Sequence, residues 1–166
     1  MHKAAIILGA GPEQLDAYKT CISKKLITIG VDKNKKALAV KFSKIFVNRS
    51  IYDYQSIINI LEKRLKKKGI VVTGVIAVGV DCPKTVYKLS SHFDTKTLTF
   101  NTFKKASSKD KLYKNKSFKE FIPKFKIISN LSNIINFIKK EKFPVIFKPR
   151  DDRGARDVYL IKNEKE

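Results

Sequence analysis

Glycine is used sparingly in this chain: there are seven in 166 residues, so each one that follows an apolar run marks a place where the backbone must turn tightly. Cysteine is scarcer still. Cys21 and Cys82 stand in no recognisable spacing, which points away from a disulfide framework or a zinc site and leaves two ordinary reduced thiols. No apolar run approaches the roughly 20 residues that span a bilayer. Ala4-Ala5-Ile6-Ile7-Leu8 stops at a glycine and is too short for the apolar core of a signal peptide. These absences lead to the expectation of a soluble, cytoplasmic protein with no membrane partner. What remains is 43% hydrophobic, enough for one compact domain, or for one domain and the start of a second.

Arginine is scarce beside lysine, and that shapes the reading of a net charge of +21. Such a surplus is the usual electrostatic footprint of a nucleic-acid binder. Here it is spread over the whole chain, as Lys24-Lys25, Lys33-Lys35-Lys36, Lys66-Lys67-Lys68, Lys104-Lys105 and Lys139-Lys140, and the residue suited to bidentate phosphate and guanine contacts is the rare one. A solvated basic surface is favoured over a nucleic-acid partner; a basic stripe that binds RNA is the alternative.

Apolar runs and helical patterns alternate. Ala4–Leu8 reads as a strand, Gly9-Ala10-Gly11-Pro12 as a tight turn, and Gln14, Leu15, Ala17, Tyr18 and Ile22 recur at helical spacing. Leu26–Val31 reads as a second strand, Lys36–Phe42 as a short helix and Lys44–Val47 as a third strand. Tyr54–Lys67 places Ile57, Ile58, Leu61 and Leu65 on one helix face. Val75–Val78 reads as a buried strand, Pro83 opens a helix running to His92, and Lys96–Thr99 reads as an edge strand. Strands that lack period-two alternation and alternate with helices predict an α/β domain with a doubly wound parallel sheet over residues 1–100. Residues 101–166 then give a helix from Asp110 to Phe121, a second from Leu131 to Lys140, and a buried strand in Phe143-Pro144-Val145-Ile146-Phe147-Lys148-Pro149, the start of an α+β domain. A sheet left unfinished there predicts exposed apolar surface.

Several polar residues fall where such folds place ligands. Gly9 and Gly11 lack the third glycine of the dinucleotide fingerprint, since Gln14 stands near its place. They serve either as an anion site at a helix N-terminus or simply as the strand-to-helix corner. Asp32 is ligand-facing or a helix cap, and Asp53 is better read as a cap. Asp81, after Val78-Gly79-Val80, is the more plausible substrate-side residue, with capping as the competing role. His2 and His92 have no partner in view that would make either an acid or a base. At the far end, Lys148 closes an apolar strand and precedes Arg150-Asp151-Asp152-Arg153-Gly154-Ala155-Arg156, chemistry suited to a polyphosphate. The bland reading of Lys148 is a strand-end lysine whose stem covers apolar surface.

Taken in order, Ile7-Leu8-Gly9-Ala10-Gly11 with Gln14-Leu15, Val31-Asp32-Lys33-Asn34, Val80-Asp81-Cys82-Pro83, Asp110-Lys111-Leu112 and Phe143–Pro149 resemble the amino-terminal half of an ATP-grasp enzyme, most of all the kind related to the large chain of carbamoyl-phosphate synthase. The resemblance implies a Rossmann-like pre-ATP-grasp domain followed by the start of an ATP-grasp domain, apparently truncated. It implies an ATP-dependent ligase that joins a small-molecule carboxylate to an amine or similar nucleophile through an acylphosphate. Lys111 and Lys148 match the two nucleotide-contacting lysines, and Arg153, Gly154, Ala155 and Arg156 the loop over the phosphates. Gly9, Gly11 and Asp81 fall to the substrate side, and no catalytic residue is assigned. Mg2+ is implied alongside ATP, its ligands lying in the portion that would follow Glu166, so no metal ligand is named in this chain and the chain alone is expected not to turn over. Where the related pattern has glycine, this chain has Asp157. A longer chain, a partner chain supplying the rest, or a stand-alone nucleotide- or metabolite-binding remnant would each accommodate the pattern.

Overall fold

The computed structural model describes residues 2–106, 108–150, 156–163 and 165. It divides into two compact units, Met1–Phe103 and Lys104–Glu166. In the first, strands β1 (His2–Leu8), β2 (Ile27–Asp32), β3 (Ile45–Asn48) and β4 (Ile70–Ala77) form one sheet in the order β3-β2-β1-β4, and every pair is parallel. Helix α1 (Leu15–Ser23) connects β1 to β2, a 3-10 turn at Leu38–Phe42 lies between β2 and β3, α2 (Tyr54–Leu65) connects β3 to β4, and α3 (Pro83–His92) follows β4.

Alternation along β1 explains why both faces need cover. Ala4, Ile6 and Leu8 point into one core with Ile29, Val31, Val47, Ile57, Leu61 and Leu89. Ala5 and Ile7 point into the other, against Ala10, Tyr18, Cys21 and Ala39. All five residues are buried, as expected of a central strand in a doubly covered parallel sheet. The α2 face read from Ile57, Ile58, Leu61 and Leu65 is the buried face. Asp53 caps this helix, accepting from the Ser56 N–H at 3.2 Å, and Pro83 stands in the first turn of α3.

Three expectations for this unit are corrected. The segment Lys36–Phe42 holds a 3-10 turn at Leu38–Phe42 rather than an α-helix, because Ala39 alone of that turn is buried and there is no apolar stripe to support a longer helix. Lys96–Thr99 lies outside any strand, which leaves β4 as an edge. For that reason β4 is mostly half-buried instead of buried.

The second unit contains α5 (Lys109–Tyr113), a 3-10 turn at Lys116–Phe121, α6 (Leu131–Glu141) and an antiparallel pair β5 (Val145–Phe147) and β6 (Tyr159–Ile161); α4 (Phe100–Ala106) runs across the division. The long helix read over Asp110–Phe121 is therefore two short pieces, interrupted where Asn115 caps the 3-10 turn by accepting from the Ser117 N–H. The strand read as buried is three residues long and mainly exposed, and a return strand, β6, pairs with it. Two short strands cannot shield both faces of each other. Among the described residues of this unit no apolar side chain is fully buried, whereas Phe121 is 77% and Leu131 70% exposed.

Candidate functional site

In the first unit the loops after β1 and β4 meet at the carboxyl edge of the sheet, where the strand order reverses and α/β folds place ligands. Gln14 joins them. Its Oε1 accepts from the Gly11 N–H at 2.9 Å and its Nε2 donates to the Val78 carbonyl at 2.5 Å, with the side chain 2% exposed. Glycine is required on both sides of this bridge. Gly9 has φ +92° and Gly79 φ +65°, and a Cβ at Gly9 would lie 2.9 Å from the Gln14 Oε1.

The N–H groups of the first loop are all used within the protein. Gly9 donates to the Val31 carbonyl at 2.8 Å, Ala10 to Asp32 Oδ2 at 2.8 Å, and Gly11 to Gln14. Asp32 also accepts from the Asn34 N–H at 2.8 Å, so its carboxylate organises two loops and caps no helix. Beneath the corner, the Tyr18 hydroxyl donates to the Gly9 carbonyl at 3.0 Å. Burial pushes this phenol up to about 12, which keeps it a neutral donor. Gly9 and Gly11 thus build a corner whose donors are satisfied internally, and Asp81 is exposed on the adjoining loop. His92, read without a partner, pairs with Glu62 at 3.0 Å.

In the second unit one short helix organises the end of β5. Asp110 and Tyr113 lie three residues apart on α5 and therefore share a face. Arg150 and Lys148 lie two apart beyond the strand. The Arg150 guanidinium pairs with Asp110 Oδ2 at 3.2 Å, and the Lys148 ammonium donates to the Tyr113 hydroxyl at 2.8 Å while standing 5.2 Å from the ring centroid. The Lys109 N–H donates to the Arg150 carbonyl at 3.2 Å. Ser108 Oγ bonds Asp110 Oδ1 at 2.5 Å and holds the Asp110 carboxyl below its usual value, helped by Arg150.

Lys111 is exposed on the same helix, so α5 both carries one of the two matched lysines and holds the other. Arg156 is exposed; Arg153, Gly154 and Ala155 lie outside the described residues. Asp157 has φ +52°, the backbone region in which glycine is at ease and which aspartate tolerates better than most residues. The residue that departs from the related pattern therefore keeps a glycine-like backbone. Sequence reasoning missed Gln14 as a bridge and Tyr113 as a partner of Lys148; the spacing of Asp110 and Tyr113 against that of Lys148 and Arg150 was the available signal.

No family model matches this sequence, and no curated protein does. Solved structures do. N5-carboxyaminoimidazole ribonucleotide synthetase from Thermotoga maritima is similar with a TM-score of 0.66 at 19% identity over 100% of this chain and 42% of that one. N5-carboxyaminoimidazole synthetase from Staphylococcus aureus, complexed with ADP, gives 0.71 at 14% over 98% and 42%. L-amino acid ligase from Bacillus licheniformis gives 0.68 at 15% over 99% and 40%. The chain therefore spans well under half the length of each of these proteins. Coverage of this chain is near complete, and the helix-covered parallel sheet matches one part of these structures: this chain has the α/β fold of the amino-terminal part of ATP-grasp ligases.

Proposed function

We propose that this chain is the front part of an ATP-dependent ligase of the ATP-grasp kind and that its second unit binds the phosphates of an adenine nucleotide. The observation that carries the reading is Lys148: an ammonium at the end of a strand, half-buried and oriented by a neighbouring helix, instead of a lysine trailing into solvent. The ADP bound in one of the similar structures supports the choice of nucleotide. Lys148 and Lys111 are the cations of this chain that would face the phosphates, and the resemblance assigns Arg156, Arg153, Gly154 and Ala155 to the same role, the last three lying outside the described residues. Two ammonium groups offset the charge that develops on phosphoryl oxygens, whether they hold the nucleotide or stabilise transfer. When bound, ATP supplies the phosphoryl group that activates a carboxylate toward an amine or similar nucleophile.

Asp81, at the carboxyl edge of the first unit, is our choice for the substrate side, with Gly9 and Gly11 shaping the adjoining corner. The resemblance implies Mg2+ alongside ATP, and no ligand for it is assigned in this chain; among the described residues no group of three or more His, Cys, Asp or Glu side chains lies together.

Calorimetric titration of the chain with ADP tests the reading. Lys148→Met should weaken binding at least about tenfold, as loss of a charge-assisted contact does, and Lys111→Met should weaken it by a smaller factor because that side chain is the more exposed. Wild-type affinity in Lys148→Met, or no ADP binding by the wild-type chain, would overturn it.

A further inference from the structure

The geometry points to Tyr113 as a positioning residue for the Lys148 ammonium, holding it ready for a phosphate before any nucleotide arrives. This rests on the reading of Lys148 given above and adds a residue to it.

A lysine head on a four-carbon stem samples many rotamers when nothing holds it. Here the stem is anchored at the end of β5 and the head is fixed by Tyr113, 2.8 Å from the hydroxyl and 5.2 Å from the ring centroid. Tyr113 is fixed in turn. Its ring meets Phe125 edge to face at 5.2 Å, and the helix that carries it is tied to the strand end by the Asp110–Arg150 pair and by the Lys109 N–H donated to the Arg150 carbonyl. An ammonium has three donors, and the hydroxyl takes one. The other two remain for phosphate oxygens, so the tyrosine orients the lysine without competing for its whole charge. Preorganisation of this sort lowers the ordering cost of binding. A tyrosine acting in this way touches Lys148 and need not touch the nucleotide.

A double-mutant cycle on the full chain, read by ADP affinity, separates these roles. Tyr113→Phe keeps the ring and its packing and removes the hydroxyl. It should weaken ADP binding about three- to tenfold, the range for one hydrogen bond, with an unchanged thermal midpoint. In the Lys148→Met background the same substitution should have no further effect. In the nucleotide-free chain, the 15N-labelled side-chain ammonium signal of Lys148 should be sharp and protected from solvent exchange, and that protection should be lost in Tyr113→Phe.

Wild-type affinity in Tyr113→Phe, an equal loss in both backgrounds, or an unchanged Lys148 signal would each overturn the assignment. The nucleotide reading fails differently: Lys148→Met then binds ADP as the wild type does, or the wild type binds none, while the ammonium signal still reports whether Tyr113 holds the lysine.

Discussion

Gln14 donates its amide to the Val78 carbonyl at 2.5 Å across a separation of sixty-four residues, and so ties the loop after the first strand to the loop after the fourth. The same side chain accepts from Gly11, which makes it the common support of the two loops at the carboxyl edge of the sheet.

Gln14→Ala should destabilise the first unit by about 2 kcal/mol, because it leaves a donor at Gly11 and an acceptor at Val78 without their partner. Gln14→Glu separates the two halves of the bridge. It keeps an acceptor for Gly11 but places a carboxylate against the Val78 carbonyl, so it should cost a comparable amount at neutral pH and less where the carboxyl is protonated. Urea unfolding of both variants checks this, and a loss under about 0.5 kcal/mol in each would remove the bridge from the account.

Asp110 gives the second unit an acid-sensitive element. Its carboxyl is held below the ordinary 3.8 chiefly by the Ser108 hydroxyl, with help from Arg150. A carboxyl whose folded value is depressed contributes stability that is fully present above the unfolded value and is lost as pH falls through the lower, folded one. The second unit should therefore weaken below about pH 4, and Asp110→Asn should flatten that part of the profile. The Tyr113 ring resonances of the tyrosine-labelled chain, followed by NMR against pH, provide the measurement; coincident acid transitions in the two proteins would count against the role.

Lys142 ends α6 with φ +62° and ψ +169°, a region that only glycine occupies without strain. Lys142→Gly should stabilise the second unit by about 1 kcal/mol, whereas Lys142→Ala should bring no gain. Thermal unfolding of the pair decides it, and equal midpoints would show that the backbone there relaxes at no cost.

The first unit was legible in the sequence because its signals are redundant. Ala4–Leu8 is apolar without alternation, Asp53 and Pro83 announce the starts of two helices, and Ile57, Ile58, Leu61 and Leu65 keep a helical period. Lys96–Thr99 misled because strand propensity in so short a segment is decided by whether a neighbouring edge is within reach. In the second unit the pattern of Asp110–Phe121 looked continuous, yet the Asn115 side chain competes for backbone N–H groups and starts a new turn. The strand ending at Lys148 was found, but its burial was overestimated, since burial depends on layers that periodicity does not report. Among the candidate residues, the residue types could be read at Asp81 in the first unit and at Lys148 in the second. The link made by Gln14 could not, because a polar side chain that bridges distant segments leaves no period in the chain, and for Tyr113 the signal was only the spacing of Asp110 and Tyr113 against that of Lys148 and Arg150.

The position of β1 at the centre of its sheet has a consequence for the order of biosynthesis. Ala4–Leu8 lies in the strand of this unit that is made before the other three, and it pairs on both sides, with β2 and with β4. The Thr73 hydroxyl that bonds the Ala4 carbonyl belongs to a residue sixty-nine positions later. A nascent chain thus carries a strand whose Ala4–Leu8 segment is wholly buried in the fold unpaired on one side until residue 77 has cleared the ribosome, and that long-range closure must precede docking of α3. Chains halted before β4 should stay unfolded and expose that strand to holding chaperones, and those halted after α3 should be the first to resist protease.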